Sequence, residues 1–132
     1  MTAVRLELLC QDLRDLSAKL APATGALNAA LIDLGQVLAD AQLGVTASVD
    51  LGEGTALVFG KRDGKWGLFA ETTAGWEPIT NAPRRVRMMI GPAKIEELLC
   101  ALKGRMALEL QDVADHTAKV RDLIVALQGA AR

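Results

Sequence analysis

The stretch Ala56–Thr72 reads ALVFGKRDGKWGLFAET, two apolar, β-prone runs folded at Asp63-Gly64. Asp-Gly between such runs is a strong hairpin signal, because a type I′ turn needs positive φ at both central residues, which Asp tolerates and Gly adopts freely. A two-residue turn sets the register. Arg62 faces Lys65, and the pairs run outward as Lys61 with Trp66, Gly60 with Gly67, Phe59 with Leu68, Val58 with Phe69 and Leu57 with Ala70. Side chains alternate between faces, so one face carries Leu57, Phe59, Lys61, Trp66, Leu68 and Ala70, and the other Ala56, Val58, Gly60, Gly67 and Phe69. Both faces are apolar and both need covering. The chain's four aromatic residues, Phe59, Trp66, Phe69 and Trp76, all fall in this stretch or just after it.

Before the hairpin, Val45, Ala47, Val49 and Leu51 alternate with Thr46, Ser48 and Asp50, the pattern of a half-buried strand, and Gly52-Glu53-Gly54 turns it into the hairpin. After it, Ala74-Gly75 leads into Trp76–Ile79, which Pro78 confines to an edge or an irregular strand, because Pro cannot donate to a ladder. Val86, Met88 and Ile90 alternate with Arg85, Arg87 and Met89, which predicts a further strand. The middle of the chain, about 45–90, therefore reads as a four- to five-stranded antiparallel β-meander.

Helical patterns flank this sheet. Leu6, Leu9, Leu13, Leu16 and Leu20 recur at steps of three and four, predicting an amphipathic helix over about 3–20. Pro22 and Gly25 interrupt the pattern, Thr24 is a candidate N-cap, and Leu27, Leu31, Leu34, Leu38 and Ala41 carry a second helix over about 26–43 to Gly44. Residues 1–43 are either a helical hairpin or one kinked helix. Beyond the sheet, Pro92 opens a helix with Ile95, Leu98, Leu99 and Leu102 as its stripe, over about 92–103. Past Gly104, Met106, Leu110, Val113, Val120, Leu123, Ile124 and Leu127 carry a helix over about 105–128. One helix through both would run about 55 Å at 1.5 Å per residue, too long for one small sheet. Either Gly104 kinks or divides it, or its distal half reaches beyond the sheet. The expected fold is α+β in a single domain, 1–132: an N-terminal helical pair, the central meander, and a long or kinked C-terminal helix. This order of helix, meander and helix is similar in general plan to prefoldin-like holdase subunits, a likeness of layout carried by no diagnostic residue.

The 132 residues, 51% of them hydrophobic, suffice for one core. The net charge of −1 gives no overall drive towards nucleic acid or an anionic membrane, yet its distribution is uneven. Residues 1–60 hold three basic and seven acidic side chains, 61–105 nine and five, and 106–132 three and four. No apolar run approaches the ~18 residues of a membrane span, and Met1–Cys10 lacks a signal-type apolar region, so the expected setting is cytoplasmic, without membrane contact. Cys10 and Cys100, each in an apolar helical pattern, are expected as reduced, mostly buried thiols.

Catalytic material is scarce. The lone His116 has Glu109, Asp112 and Asp115 near it but no second His or Cys to complete a metal set, so a solvated acidic helix face is the reading. Gly52-Glu53-Gly54 opens no helix and fits no phosphate loop, and Ser17 and Ser48 lack an evident base. The expectation is a non-enzymatic protein with no cofactor and no metal. Two surfaces remain. The leucines Leu6, Leu9, Leu13, Leu16 and Leu20 are the candidate oligomer or partner interface, because full helical stripes beside a sheet apolar on both faces exceed what one small domain covers. They point to a homo-oligomeric scaffold, adaptor or chaperone-like module, with a further protein partner admitted. The alternative is nucleic-acid or phospholigand binding through Arg62, Lys65, Arg84, Arg85 and Arg87, with Lys61 and Lys94 nearby, for which Arg85 and Arg87 are expected to share a strand face. The bland account of these charges is a solubilising sheet edge, with Lys61 stacked on Trp66. A small-molecule pocket beside Pro92–Leu102 has no specific residue behind it.

Overall fold

A computed structural model describes residues 2–131. Helix α1 spans Thr2–Asp40, strands β1 to β4 span Ala47–Gly52, Thr55–Arg62, Lys65–Thr72 and Gly75–Pro78, a 3-10 turn covers Ile79–Asn81, and helices α2 and α3 span Arg84–Met88 and Pro92–Ala130. The strands form one antiparallel sheet in the order β1-β2-β3-β4.

The central hairpin has the register that its turn chemistry dictates: Arg62 opposite Lys65, Lys61 opposite Trp66, and so on to Ala56 opposite Glu71. Asp63 and Gly64 sit at φ 53° and 80°, the two positive values a type I′ turn requires. β1 alternates buried Ala47, Val49 and Leu51 with exposed Ser48 and Asp50. The Asp50 carboxylate accepts the Gly52 N–H at 2.8 Å where the pairing shifts at the turn into β2. β4 is the edge strand that Pro78 cuts short.

The sheet's two faces are covered differently. Leu57, Phe59, Leu68 and Ala70 pack under the helices, against Leu31 and Leu38 of α1 and Leu98 and Leu102 of α3, with Ile79, Ala82, Val86 and Ile90 closing the core. α1 lies on β3, where buried Gly35 lets the helix backbone approach Leu68, and α3 lies on β1 and β2. On the opposite face Trp76 forms the cover. Its ring stacks on Phe69 with centroids 5.5 Å apart, and it lies so close over Gly60 that a Cβ there would come within 2.8 Å of it. Beneath it Val58 and Phe69 are buried, and its Nε1–H donates to the Glu71 carboxylate at 3.1 Å.

Four expectations need correction. First, α1 is one helix through Pro22, neither a hairpin nor two helices, and it stops at Asp40 with Gln42 in the left-handed region. Thr24 is therefore no N-cap; its hydroxyl donates to the Leu20 carbonyl inside the helix at 2.9 Å. The continuity has a physical basis. Pro22 removes one helical N–H, but the stretch is exposed, so the carbonyl it leaves free is open to water. Second, the separate helices expected over 92–103 and 105–128 are one: α3 runs unbroken through Gly104, and, as the other alternative had it, its distal half extends past the sheet. Third, the segment expected as a strand over 85–90 is α2 and the turn after it. Its N–H groups at Val86 and Arg87 both bond the Pro83 carbonyl, and the buried pair Val86 and Ile90 stands at i and i+4, a helical spacing. The sheet accordingly has four strands. Fourth, Cys10 and Cys100 are exposed free thiols, because both lie on helix faces that no other element covers.

Candidate functional site

The helices hold far more apolar surface than the sheet covers. In α1, burial begins only at Thr24, and residues 2–23 are exposed without exception. In α3, the last buried residue is Leu102, and 103–131 are exposed. At about 1.5 Å per residue these free arms are roughly 33 and 43 Å long. Leu6, Leu9, Leu13, Leu16 and Leu20 are 46–66% exposed, and Met106, Leu110, Val113, Val120, Leu123, Ile124 and Leu127 are open in the same way.

The exposed stripe of α1 continues the buried one. At about 100° per residue, Leu6, Leu9, Leu13, Leu16, Leu20, Leu27, Leu31, Leu34 and Leu38 all fall within an arc of about 80°. The face that packs on the sheet at Leu31 and Leu38 therefore runs on, uncovered, past the end of the sheet. Leu13, Leu16, Leu20 and Ala23 form an open apolar strip along it. An apolar groove lies at the foot of the arm, between Leu20, Ala23, Thr24 and Leu27 of α1 and Arg84 and Met88 of α2, with Met88 69% exposed.

The basic residues are used otherwise. Arg85 and Arg87 do not share a strand face, since both belong to α2. Arg85 pairs with Glu53 of the β1–β2 turn. Arg87 is buried and donates from Nη1 to the Asn28 side-chain carbonyl of α1, while its buried Nε has no partner among the described residues. Arg62 donates to the Trp76 carbonyl, fastening the hairpin tip to β4. Arg84 borders the groove at the foot of α1, and Lys65 is exposed at the hairpin tip beside Arg62 and Asp63. Three of the five cations are thus tied to three different neighbours. Trp66 stacks on Phe59 at 5.5 Å and is half-buried.

Among the described residues, no group of three His, Cys, Asp or Glu side chains is placed to hold a metal ion. His116 is exposed on the α3 arm, where neighbouring Gln111 donates to Asp115 at 3.0 Å. Ser17 and Ser48 are exposed on α1 and β1. Among the described residues, no helix is long and apolar enough to cross a membrane. Sequence reasoning missed the groove at the foot of α1. Its signal was present in the phase of the stripe across Pro22, since Leu20 and Leu27 stand two turns apart on one face. No family model matches the chain, and neither a curated protein nor a solved structure matches it.

Proposed function

We propose that this chain is a non-enzymatic interaction protein, a scaffold, adaptor or chaperone-like module, that works as an oligomer through its leucine-striped helical arms. The observation that carries this reading is the uncovered continuation of α1's core-packing face along Leu6, Leu9, Leu13, Leu16 and Leu20. Lone helices gain most of their stability from packing an apolar face, so arms of this length with an unpaired stripe favour a partner. Covering what remains exposed of these five leucines is worth about 1 kcal/mol each. Two arms together then bring about 10 kcal/mol, against the roughly 4–15 kcal/mol that association costs. At that balance single leucines decide whether copies stay together.

Sedimentation at micromolar concentration tests the reading. The protein is expected to run as an oligomer, and Leu13→Glu, which places a carboxylate in the middle of the stripe, is expected to return it to monomer with the sheet intact. A strict monomer, with Leu13→Glu folded and indistinguishable from it, refutes the self-association.

A further inference from the structure

The α1 arm carries enough detail to name its partner and the geometry of pairing. Leu6, Leu13 and Leu20 occupy the first, and Leu9 and Leu16 the fourth, position of successive heptads, the knobs of a two-helix seam. The residue just before each first-position leucine flanks that seam, and here these are Arg5, Asp12 and Lys19. The other flank is Ala3, Cys10, Ser17 and Thr24, small or thin side chains that allow close approach. Basic and acidic residues balance over the arm, Arg5, Arg14 and Lys19 against Glu7, Asp12 and Asp15. A surface without net charge has no electrostatic preference for nucleic acid or an anionic membrane, whereas it is compatible with a copy of itself.

In an antiparallel pair of identical arms, first-position leucines meet fourth-position ones, and each flank meets its own kind. Two registers stack the leucines well. The one that sets Leu9 against the partner's Leu13 also places Asp12 beside the partner's Asp12 and Arg5 beside the partner's Lys19, like charges at each place. The other sets Leu13 against the partner's Leu16 and Leu9 against the partner's Leu20, and brings Asp12 beside the partner's Lys19 twice by symmetry. In that register the overlap covers the whole free arm, up to the point where α1 meets the sheet. The partner's Leu6 comes level with Ala23, a small residue in the seam, over the groove that Leu20, Leu27 and Met88 leave open. Resting on the oligomeric reading above, we infer that α1 pairs antiparallel with α1 of a second copy, Leu13 against the partner's Leu16 and Asp12 against the partner's Lys19. The stripe of α3, interrupted by Thr117 and flanked by His116, is less suited to self-pairing and stays outside this contact.

Spin-label distances on the full chain test the geometry. In a background of Cys10→Ala and Cys100→Ala, single labels are placed through Glu7→Cys or Arg14→Cys, two positions equivalent in the heptad and directed away from the seam. The antiparallel register separates the two copies of residue 14 by about one residue along the axis and those of residue 7 by about fifteen, so the interspin distance at 7 exceeds that at 14 by about 10 Å. Asp12→Lys is expected to weaken the dimer about tenfold at low salt, and adding Lys19→Asp to restore it. Equal distances at 7 and 14, or a dimer indifferent to Asp12→Lys, overturn the geometry while leaving an oligomer standing. A monomer under all conditions overturns both the geometry and the oligomeric reading.

Discussion

Replacing Gly60 by Ala sets two effects of known sign against each other. In a strand interior, Ala in place of Gly restricts the unfolded chain and stabilises by about 0.4–1 kcal/mol, provided the site accepts a Cβ. This site does not. The added carbon would lie 2.8 Å from two ring atoms of Trp76 and 3.2 Å from the Thr46 methyl. The ring is held by its stacking on Phe69, by Nε1–H to Glu71, and by the Arg62 bond to the Trp76 carbonyl. Lifting it costs about 1–3 kcal/mol as overpacking and opens Val58 and Phe69 to water. The loss wins by about 1 kcal/mol, a fall in Tm of roughly 3–5 °C for a chain of this size.

A double-mutant cycle isolates the cause. With Trp76→Leu the ring is gone, and Gly60→Ala is then expected to be neutral or stabilising, so the two substitutions couple by at least about 1 kcal/mol. Chemical unfolding followed by far-UV circular dichroism reads both arms of the cycle. In a Trp66→Phe background, Trp76 emission should also shift to the red in Gly60→Ala as the ring lifts into water. If Gly60→Ala destabilises equally with and without Trp76, the ring is not what the Cβ meets, and the account of how the outer face is covered is wrong.

Gly104 sits inside α3 with open space where a Cβ would stand, nothing lying within 4 Å of that position, so Gly104→Ala should raise stability by up to about 1 kcal/mol in thermal melts; a loss would mean that the helix bends there. Arg87 and Asn28 should respond unequally. Asn28→Leu strips a buried cation of its acceptor and should cost about 2 kcal/mol, whereas Arg87→Met removes the charge together with its unpartnered Nε and should cost under about 1 kcal/mol in denaturant titrations; the reverse order refutes the reading of that contact. Since Arg62, Arg85 and Arg87 are engaged within the chain, titration with a single-stranded oligonucleotide at low salt should show no binding. Binding that falls steeply with salt and is lost in Arg84→Ala would instead favour the phospholigand alternative.

The parts of the fold that local chemistry dictates were legible. Asp63-Gly64 sets the hairpin register by itself, and the alternation around Ala47–Leu51 marks β1 because one of its faces is wet. Errors came where a local rule met a wider balance. Pro22 and Gly104 are helix breakers by propensity, yet the leucine phase carries through both positions, and a helix of 39 residues absorbs the one bond that proline removes. Over 85–90, Val86, Met88 and Ile90 satisfy a strand period while Val86, Met89 and Ile90 satisfy a helical one, and only the Pro83 carbonyl decides between them. In the candidate site, the leucine stripe was readable because it is periodic. The partners of the arginines were not, since Glu53 and Asn28 lie 32 and 59 residues away along the chain. The cover that Trp76 lays over Gly60 is hidden for the same reason, being a contact across three strands.

The division of both long helices into a packed half and a free half has a consequence for how the protein resists opening. Backbone amides between Leu31 and Leu102 share one cooperative core, and their exchange with solvent deuterium should report global unfolding, independent of how much protein is present. Amides of residues 2–23 have no such shelter within the chain beyond the helix's own hydrogen bonds, and further protection there must come from whatever covers the leucines. Slowing of exchange in that segment with rising concentration would turn the arm into a built-in gauge of assembly, legible residue by residue while the sheet beside it stays constant.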